Sequence, residues 1–418
     1  MRLRIHRGAA EIGGNCIEIE SSGQSILLDL GTPLIGDLSP QDALPAISGL
    51  TDGTNPNLLG IVISHPHMDH YGLVGLAHPS VPIYIGKEAA NLLRAASAFG
   101  PYGENFPNAI HYRHRKTFRV GPFRITPYLN DHSAFDAYSF LVEVDRKTLF
   151  YSGDIRGHGW KSRMFDQLLA DGPKSVDAML LEGTTLGRND DERSESEADL
   201  VGRLANSIAN TRGLVLAAFS GQNIDRFVTF YKATRSSRRN FVVDLYVAHL
   251  LRALRRKSLP DPTSNALRVY LPHRTKLKIV RDQSFDLVAP YHRRRIYPHE
   301  LRERKKQLVM SFRQSMAQDL EKADCLEGAK LIYSMWPGYI ERSPQNIRDW
   351  CAKHCIEFEI IHTSGHADIH DLKLLVNAIR PKNLIPIHTF TPERFDRIGE
   401  NVIHVADGEW FEPQKRES

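Results

Sequence analysis

The chain has 418 residues, 41% hydrophobic and 25% charged, with a formal net charge of +5. A length of this order exceeds one ordinary core and predicts two domains, and the composition excludes a disordered or fibrous chain. No run of about 18 apolar residues is present, which argues against a transmembrane helix, and four cysteines are too few for a disulfide framework in a chain this long.

From Met1 to about Leu181, strands and turns alternate. Strands are predicted at 15–20, 25–30, 61–64, 123–129, 139–144, 148–151 and 178–181, with one clear helix at 87–98. The polar stretch Gly187 to Arg193 breaks this pattern, so a domain boundary is placed between 193 and 194. Beyond it, helix and strand alternate: helix 197–209, strand 213–218, helix 224–234 and strand 241–244. Near the end come helix 344–353, strand 357–361, helix 372–379 and strand 384–387. This βαβ rhythm implies a parallel sheet.

The chemistry is concentrated just after the apolar run 58–63. Ser64-His65-Pro66-His67-Met68-Asp69-His70 places three imidazoles and a carboxylate within six residues, and Pro66 forces an irregular turn before a helix can start. Such donors converging at the carboxyl end of a strand suit one or two divalent ions. Single polar residues follow other apolar strands: His132, Asp154 in Tyr151-Ser152-Gly153-Asp154, and His388 after Ile385-Pro386-Ile387. Taken singly, each is more often structural than a ligand.

Taken together, in this order, these residues resemble the metallo-β-lactamase superfamily, specifically its β-CASP nuclease branch and the ribonuclease J group within it. Gly8-Ala9-Ala10-Glu11-Ile12-Gly13-Gly14-Asn15 is similar to the ribonuclease J start. Leu28-Asp29-Leu30-Gly31 matches the superfamily's first motif, the His65 cluster its second, His132 its third and Asp154 its fourth. Glu182, His366 within His362-Thr363-Ser364-Gly365-His366, and His388 match the three motifs peculiar to β-CASP proteins.

The resemblance implies an α/β fold: a metallo-β-lactamase αββα sandwich in two parts, 1–193 and 344–418, with a β-CASP domain inserted at 194–343. It implies two divalent ions, zinc or manganese. One would lie on His65, His67, His132 and Asp154, the other on Asp69, His70, Asp154 and His388, with a hydroxide shared between them as nucleophile. Asp69, Asp154, Glu182 and His366 would be catalytic, His366 as general acid polarised by Glu182. Ser364, Gly365 and His366 would hold substrate phosphate, and Asp29 would orient a ligand without binding metal.

The expected activity is cleavage of RNA, with single strands as the expected substrate, by an exonuclease, an endonuclease or both, because RNA-processing members of the branch carry histidine at the position of His388. A hydrolase of DNA or another phosphodiester, or a non-catalytic subunit binding RNA or protein, stays open. Three basic runs support a polyanion: Arg235, Arg238 and Arg239; Arg252, Arg255, Arg256 and Lys257; Arg293 to Arg295 with Arg302, Arg304, Lys305 and Lys306. They are expected to form a groove opposite the metal site, with Phe219, Trp336 and Tyr339 as candidate base-stacking residues. Cys351 and Cys355, flanking His354, read as buried thiols rather than a second metal site. With no signal peptide before Arg2, the cytoplasm is the expected compartment, and no membrane is expected as a partner. Ribonuclease J chains typically continue past the position of Trp410-Phe411 into a further domain that aids assembly; that domain is expected to be lacking here, and the oligomeric state stays open.

Overall fold

The computed structural model describes residues 1–34, 36, 38–188, 192–342 and 346–413. The expected boundary at 343/344, the expected helix start at Pro344 and the Asn189 to Asp191 part of the polar break lie outside the described residues. By their contacts the residues divide into two units. One comprises 1–94, 104–194 and the chain from 365 onward; the other comprises 95–103 and 195–364.

The first unit is built from two sheets. In spatial order the seven-stranded sheet runs Trp410–Phe411, Arg2–Arg7, Cys16–Ser21, Gln24–Leu28, Leu58–Val62, Ile83–Gly86, Ile110–Tyr112. The six-stranded sheet runs Leu384–Ile387, Ala178–Glu182, Lys147–Tyr151, Tyr138–Val144, Phe123–Leu129, Phe118–Val120. Because strand side chains alternate between faces, Leu3, Ile5, Ile17, Ile19, Ile26 and Leu28 meet Phe123, Ile125, Phe140, Val142 and Leu149 in one core between the sheets. The opposite faces are apolar too. Leu27, Ile61 and Ile85 lie under helix Lys87–Ser97 through Ala89 and Leu93. Phe150, Met179 and Leu181 lie under helices Ser162–Asp171 and Ile369–Ile379 through Phe165, Leu168, Leu372 and Leu375. Strands buried on both faces read as continuous apolar runs, and the result is an αββα sandwich.

The second unit is a seven-stranded sheet in the order Arg295–Ile296, Arg268–Tyr270, Asn240–Asp244, Leu308–Phe312, Val215–Ala218, Lys330–Tyr333, Glu357–Ile360. Every pairing in it is parallel. Helix Glu197–Ala209 opens the unit with a capping box between Ser196 and Asp199. Together the three sheets give the sandwich with an α/β insertion that the residues predict.

Two placements differ from the expectation. Residues 346–364, expected in the returning sandwich segment, belong to the second unit, because Glu357–Ile360 extends its sheet beside Lys330–Tyr333. Residues 95–103 also join that unit: Phe99 packs against Tyr246 and His249, and Gln222 donates to the Tyr102 carbonyl at 2.5 Å. The three basic runs, expected to form a groove opposite the metal site, have a common place within the second unit. Each directly precedes a strand or ends the helix leading to one, so all three lie at the amino edge of the parallel sheet. Residues 195 and 364, where the chain enters and leaves this unit, belong to its carboxyl edge.

The carboxyl edge is held by a buried ion pair. Arg226 and Glu197 are both fully buried, and Arg226 Nη2 lies 3.0 Å from Glu197 Oε1. Arg226 also donates to Ser334 Oγ at 2.6 Å and to the Thr363 carbonyl at 3.1 Å. Removing one partner leaves a buried uncompensated charge. Arg226→Met is therefore expected to destabilise the second unit by about 3–5 kcal/mol. Adding Glu197→Gln is expected to recover part of that loss, both read by urea denaturation of the full chain.

Candidate metal centre

Six strands of the first unit end at one edge of the sandwich, and each delivers a polar side chain there. Gln24–Leu28 leads to Asp29, Leu58–Val62 to His65 through His70, and Phe123–Leu129 to His132. Lys147–Tyr151 leads to Asp154, Ala178–Glu182 ends on Glu182, and Leu384–Ile387 leads to His388. His366 arrives three residues before helix Ile369–Ile379.

These side chains converge. One ligand atom from each of His65, His67, His132 and Asp154 lies within 4.8 Å of the others, as do atoms from Asp69, His70 and His388. Asp154 Oδ2 sits at the centre: 3.2 Å from His70 Nε2, 3.5 Å from His65 Nε2, 3.8 Å from His132 Nε2 and 3.9 Å from His388 Nε2. The Nε2 atoms of His65, His70 and His388 and both Asp154 oxygens are buried without a hydrogen-bond partner among the described residues. Buried polar atoms in that condition are costly unless something coordinates them. Imidazole and carboxylate donors at this spacing fit a divalent cation such as zinc or manganese.

The surroundings orient the ligands through their other atoms. Asp29 accepts from the Ser64 amide at 2.6 Å, the Ser64 hydroxyl at 2.7 Å and the Tyr151 hydroxyl at 2.5 Å. Its Oδ2 also lies 2.8 Å from His70 Nδ1, which turns His70 Nε2 inward. Asp29 thus contacts the His70 imidazole and is not among the clustered donors. Asn15 does the same for His388, with its Oδ1 3.0 Å from His388 Nδ1. Gly31 lies so close to the metal loop that a Cβ on it would fall 1.7 Å from the Asp69 carbonyl oxygen.

Electrostatics separate the imidazoles. Burial holds His65 and His132 well below the ordinary histidine range, brings His67 down to about 4 and lowers His388. Burial thus favours the neutral form of these rings, the form that ligates a metal. Burial also works against a charge on His70, but the carboxylates of Asp154 and Asp29 outweigh it and raise His70 well above its usual value. Burial alone would raise Asp154; the imidazoles of His388, His70, His366 and His65 hold it well below the usual carboxylate range.

His366 has a ligand atom within 4.8 Å of Asp154 and His388, but a different principal partner. Its Nδ1 lies 3.2 Å from both Glu182 oxygens and 3.7 Å from Asp154 Oδ2, so its nearer partner is Glu182. Glu182 is fixed by the Ile155 amide at 3.0 Å and the Thr184 amide at 3.1 Å. About a fifth of the His366 side chain is exposed, against none of His65, His70 or His388. Burial disfavours its charge, but Glu182 and Asp154 outweigh this and raise His366. Gly365 sits beside His132, where its Cβ would meet Ser133 Oγ at 2.6 Å. Ser364 is grouped with the second unit.

Known proteins share this arrangement at the level of family and fold. Residues 26–212 match a family described as "Beta-lactamase superfamily domain". By this match residues 26–212 carry a metallo-β-lactamase superfamily domain. Residues 356–390 match a "Zn-dependent metallo-hydrolase RNA specificity domain", a stretch that contains His366 and His388. The Ribonuclease J of Mycobacterium tuberculosis is 24% identical over 93% of this chain and 68% of its own length. The Ribonuclease J of Sinorhizobium meliloti is 27% identical over 53% of this chain and 40% of its own. The chain thus spans only part of these relatives. A solved Enterococcus faecalis protein of unknown function has the same fold, with a TM-score of 0.80, 22% identity and coverage of 98% and 99% of the two chains. A superfamily metallo-hydrolase with a His/Asp metal motif is the level these findings establish.

The other expectations have mixed outcomes. Phe219 is buried and stacks on Phe230 at 5.3 Å, so it is core packing and not a platform for bases. Trp336 lies edge-on to Tyr339 at 5.3 Å, and Tyr339 is exposed. Cys351 is buried and Cys355 exposed, while His354 pairs with Glu321 at 3.1 Å. Among the described residues no helix is long and apolar enough to cross a membrane. Asn15, Ser64 and Tyr151 orient ligands without having been expected at the site, although each adjoins or closes a motif. The fully buried Arg156, whose amide donates to the Asp131 carbonyl at 2.8 Å, is equally unexpected, and no local pattern marks it.

Two measurements follow from the site. Asp154 and Asp29 favour the protonated form of His70, so zinc titration of metal-free protein at pH 7 is expected to release a proton from this residue. Calorimetry in buffers of different ionisation enthalpy reads that release, and Asp29→Asn is expected to reduce it. Gly31→Ala is expected to cost about 3 kcal/mol or more, because the methyl displaces backbone and not a flexible side chain. Urea denaturation together with bound-metal analysis will show both the destabilisation and a lowered zinc content.

Proposed function

We propose that this protein is a metal-dependent ribonuclease that hydrolyses RNA phosphodiester bonds, with His65, His67, His132 and Asp154 holding one divalent ion and Asp69, His70, Asp154 and His388 a second. The observation that carries this reading is that the stretch matching an RNA specificity domain contributes both His366 and His388 to the cluster. Ions held there supply Lewis-acid activation of an attacking water at neutral pH and charge compensation for the phosphoryl oxygens.

The chain's own residues do the rest. Asp154 sets the spacing between the two sets because it belongs to both. Asp29 and Asn15 keep the Nε2 atoms of His70 and His388 directed inward, so little reorganisation is needed when substrate arrives. Glu182 holds His366 by Nδ1, which leaves Nε2 as the atom to protonate the departing sugar oxygen. Glu182 and Asp154 raise the affinity of His366 for its proton, which favours the acid form. We assign Ser364 and Gly365 to phosphate contact on the same reading; Gly365 lies beside His132, where the lack of a Cβ avoids Ser133 Oγ. Single-stranded RNA suits a site that must reach phosphorus. We place the reaction in the cytoplasm, in keeping with four cysteines that are all free.

The test is cleavage of end-labelled single-stranded RNA, single-stranded DNA and duplexes with zinc or manganese. RNA is expected to be cut preferentially, Asp69→Ala to abolish cleavage, and His366→Ala to slow it about 10²–10⁴-fold. Loss of the acid form limits the rate at high pH. Glu182→Gln removes the charge that raises His366, so the alkaline limb of kcat/KM is expected to move to lower pH. Selective cutting of DNA would overturn the assignment to RNA, and an unchanged rate in His366→Ala would overturn the acid.

A further inference from the structure

At the amino edge of the second unit's sheet lies a cleft of about 210 Å³, well away in the fold from the residues where the chain enters and leaves that unit. It forms where helix Ile224–Ser236 ends and strand Asn240–Asp244 begins, beside the loop that precedes strand Arg268–Tyr270. Thr234, Arg235, Arg238, Arg239, Asn240 and Asn265 line it. Each of these can donate hydrogen bonds, and none carries a carboxylate.

Their bonding separates structural from available donors. Arg239 is half-buried and occupied: its guanidinium donates to the carbonyls of Thr211, Gly213 and Leu308, which pins the amino edge of three neighbouring segments. Asn265 accepts from Arg294 through Oδ1, and this leaves its amide nitrogen as the remaining polar group. Thr234 is fully buried, and its hydroxyl has no hydrogen-bond partner among the described residues. Arg235 and Arg238 are exposed and make no ion pair among the described residues.

A helix carboxyl terminus favours a nearby cation, which accounts for one arginine here. It does not account for Arg235 and Arg238 both standing exposed there beside a buried hydroxyl left unbonded. Donors without acceptors select an anion, and guanidinium groups select one with several oxygens in a plane or tetrahedron. The volume is below the roughly 300–1,000 Å³ of sites for drug-sized ligands, so it suits a single phosphorylated group.

We propose that this cleft is a phosphate-binding site, separate from the metal centre, that takes a phosphate monoester or diester on Arg235 and Arg238 with Thr234 and Asn265 as neutral donors. The same chemistry serves the backbone of an RNA strand or a small free phosphate, and the test distinguishes them. Full-length protein in chelator, where no cleavage occurs, is labelled with phenylglyoxal and the modified arginines are located by mass spectrometry. Inorganic phosphate, against chloride at equal ionic strength, is expected to slow labelling of Arg235 and Arg238. A short single-stranded RNA with a 5′-hydroxyl end forms the second arm. Protection by both identifies the RNA backbone as the source, and protection by phosphate alone identifies a small phosphate.

In parallel, the Arg235→Gln/Arg238→Gln double variant is expected to lose about tenfold or more in phosphate affinity. A Lys322→Gln/Lys353→Gln control, which removes the same charge from exposed positions elsewhere in the unit, is expected to bind as the wild type does. Thr234→Val keeps charge and shape and is expected to weaken binding in the same direction as the arginine variant. Labelling unaffected by either ligand, or wild-type affinity in both the arginine and threonine variants, would overturn the site. Neither readout depends on ribonuclease activity, so failure here is distinguishable from failure of the proposed reaction.

Discussion

A carboxylate cannot be buried alone, and the first unit is arranged around one that is. Asp154 is 1% exposed and neither of its oxygens has a hydrogen-bond partner among the described residues, a condition that costs several kcal/mol if uncompensated. The compensation comes from imidazoles on four other segments: the His65 to His70 loop, His132, His366 and His388. None of these segments can move without exposing or stranding a polar group. The edge of the sandwich is therefore held in place by electrostatics as much as by the apolar core behind it.

Bringing side chains to one point from strands that would otherwise continue requires abrupt turns. Asp29 and His388 each leave their strand in the left-handed region, with φ of 60° and 51°. For residues with a Cβ this costs of order 1–2 kcal/mol each. Both are tied down where the strain is stored. Asp29 accepts three hydrogen bonds and faces His70, and the His388 amide donates to the Gly8 carbonyl at 2.7 Å. Strain of this kind at strand ends is what aims a side chain across the edge and not along it.

The second unit meets a different constraint. In a parallel sheet every strand presents its carboxyl end on one edge and its amino end on the other, so the two edges acquire separate characters. Arg226 and Glu197 organise the carboxyl edge from within, and cations gather at the amino edge. The basic excess that the sequence displays as three runs becomes one face because the βαβ connection returns each helix to the same edge.

Much of this architecture is legible in the residues themselves. The apolar runs at 123–129, 197–209 and 384–387 fall where strand, helix and strand are found, since each buries its side chains with a regular period. The spacing of His65, His67, Asp69 and His70 announces metal chemistry without tertiary context, because so many donors in so short a span have few other uses. Strands such as Ile110–Tyr112 and Phe118–Val120 are not legible in this way: three residues each, partly exposed, they exist through their neighbours. What only the tertiary structure decided is which atoms meet. Glu182 and His366 are 184 residues apart, Asn15 and His388 are 373 apart, and the Arg156 amide meets the Asp131 carbonyl from a site with no motif at all. Sequence determines donors through local chemistry, whereas orientation depends on contacts closed by the packing of two sheets, and no local pattern encodes those.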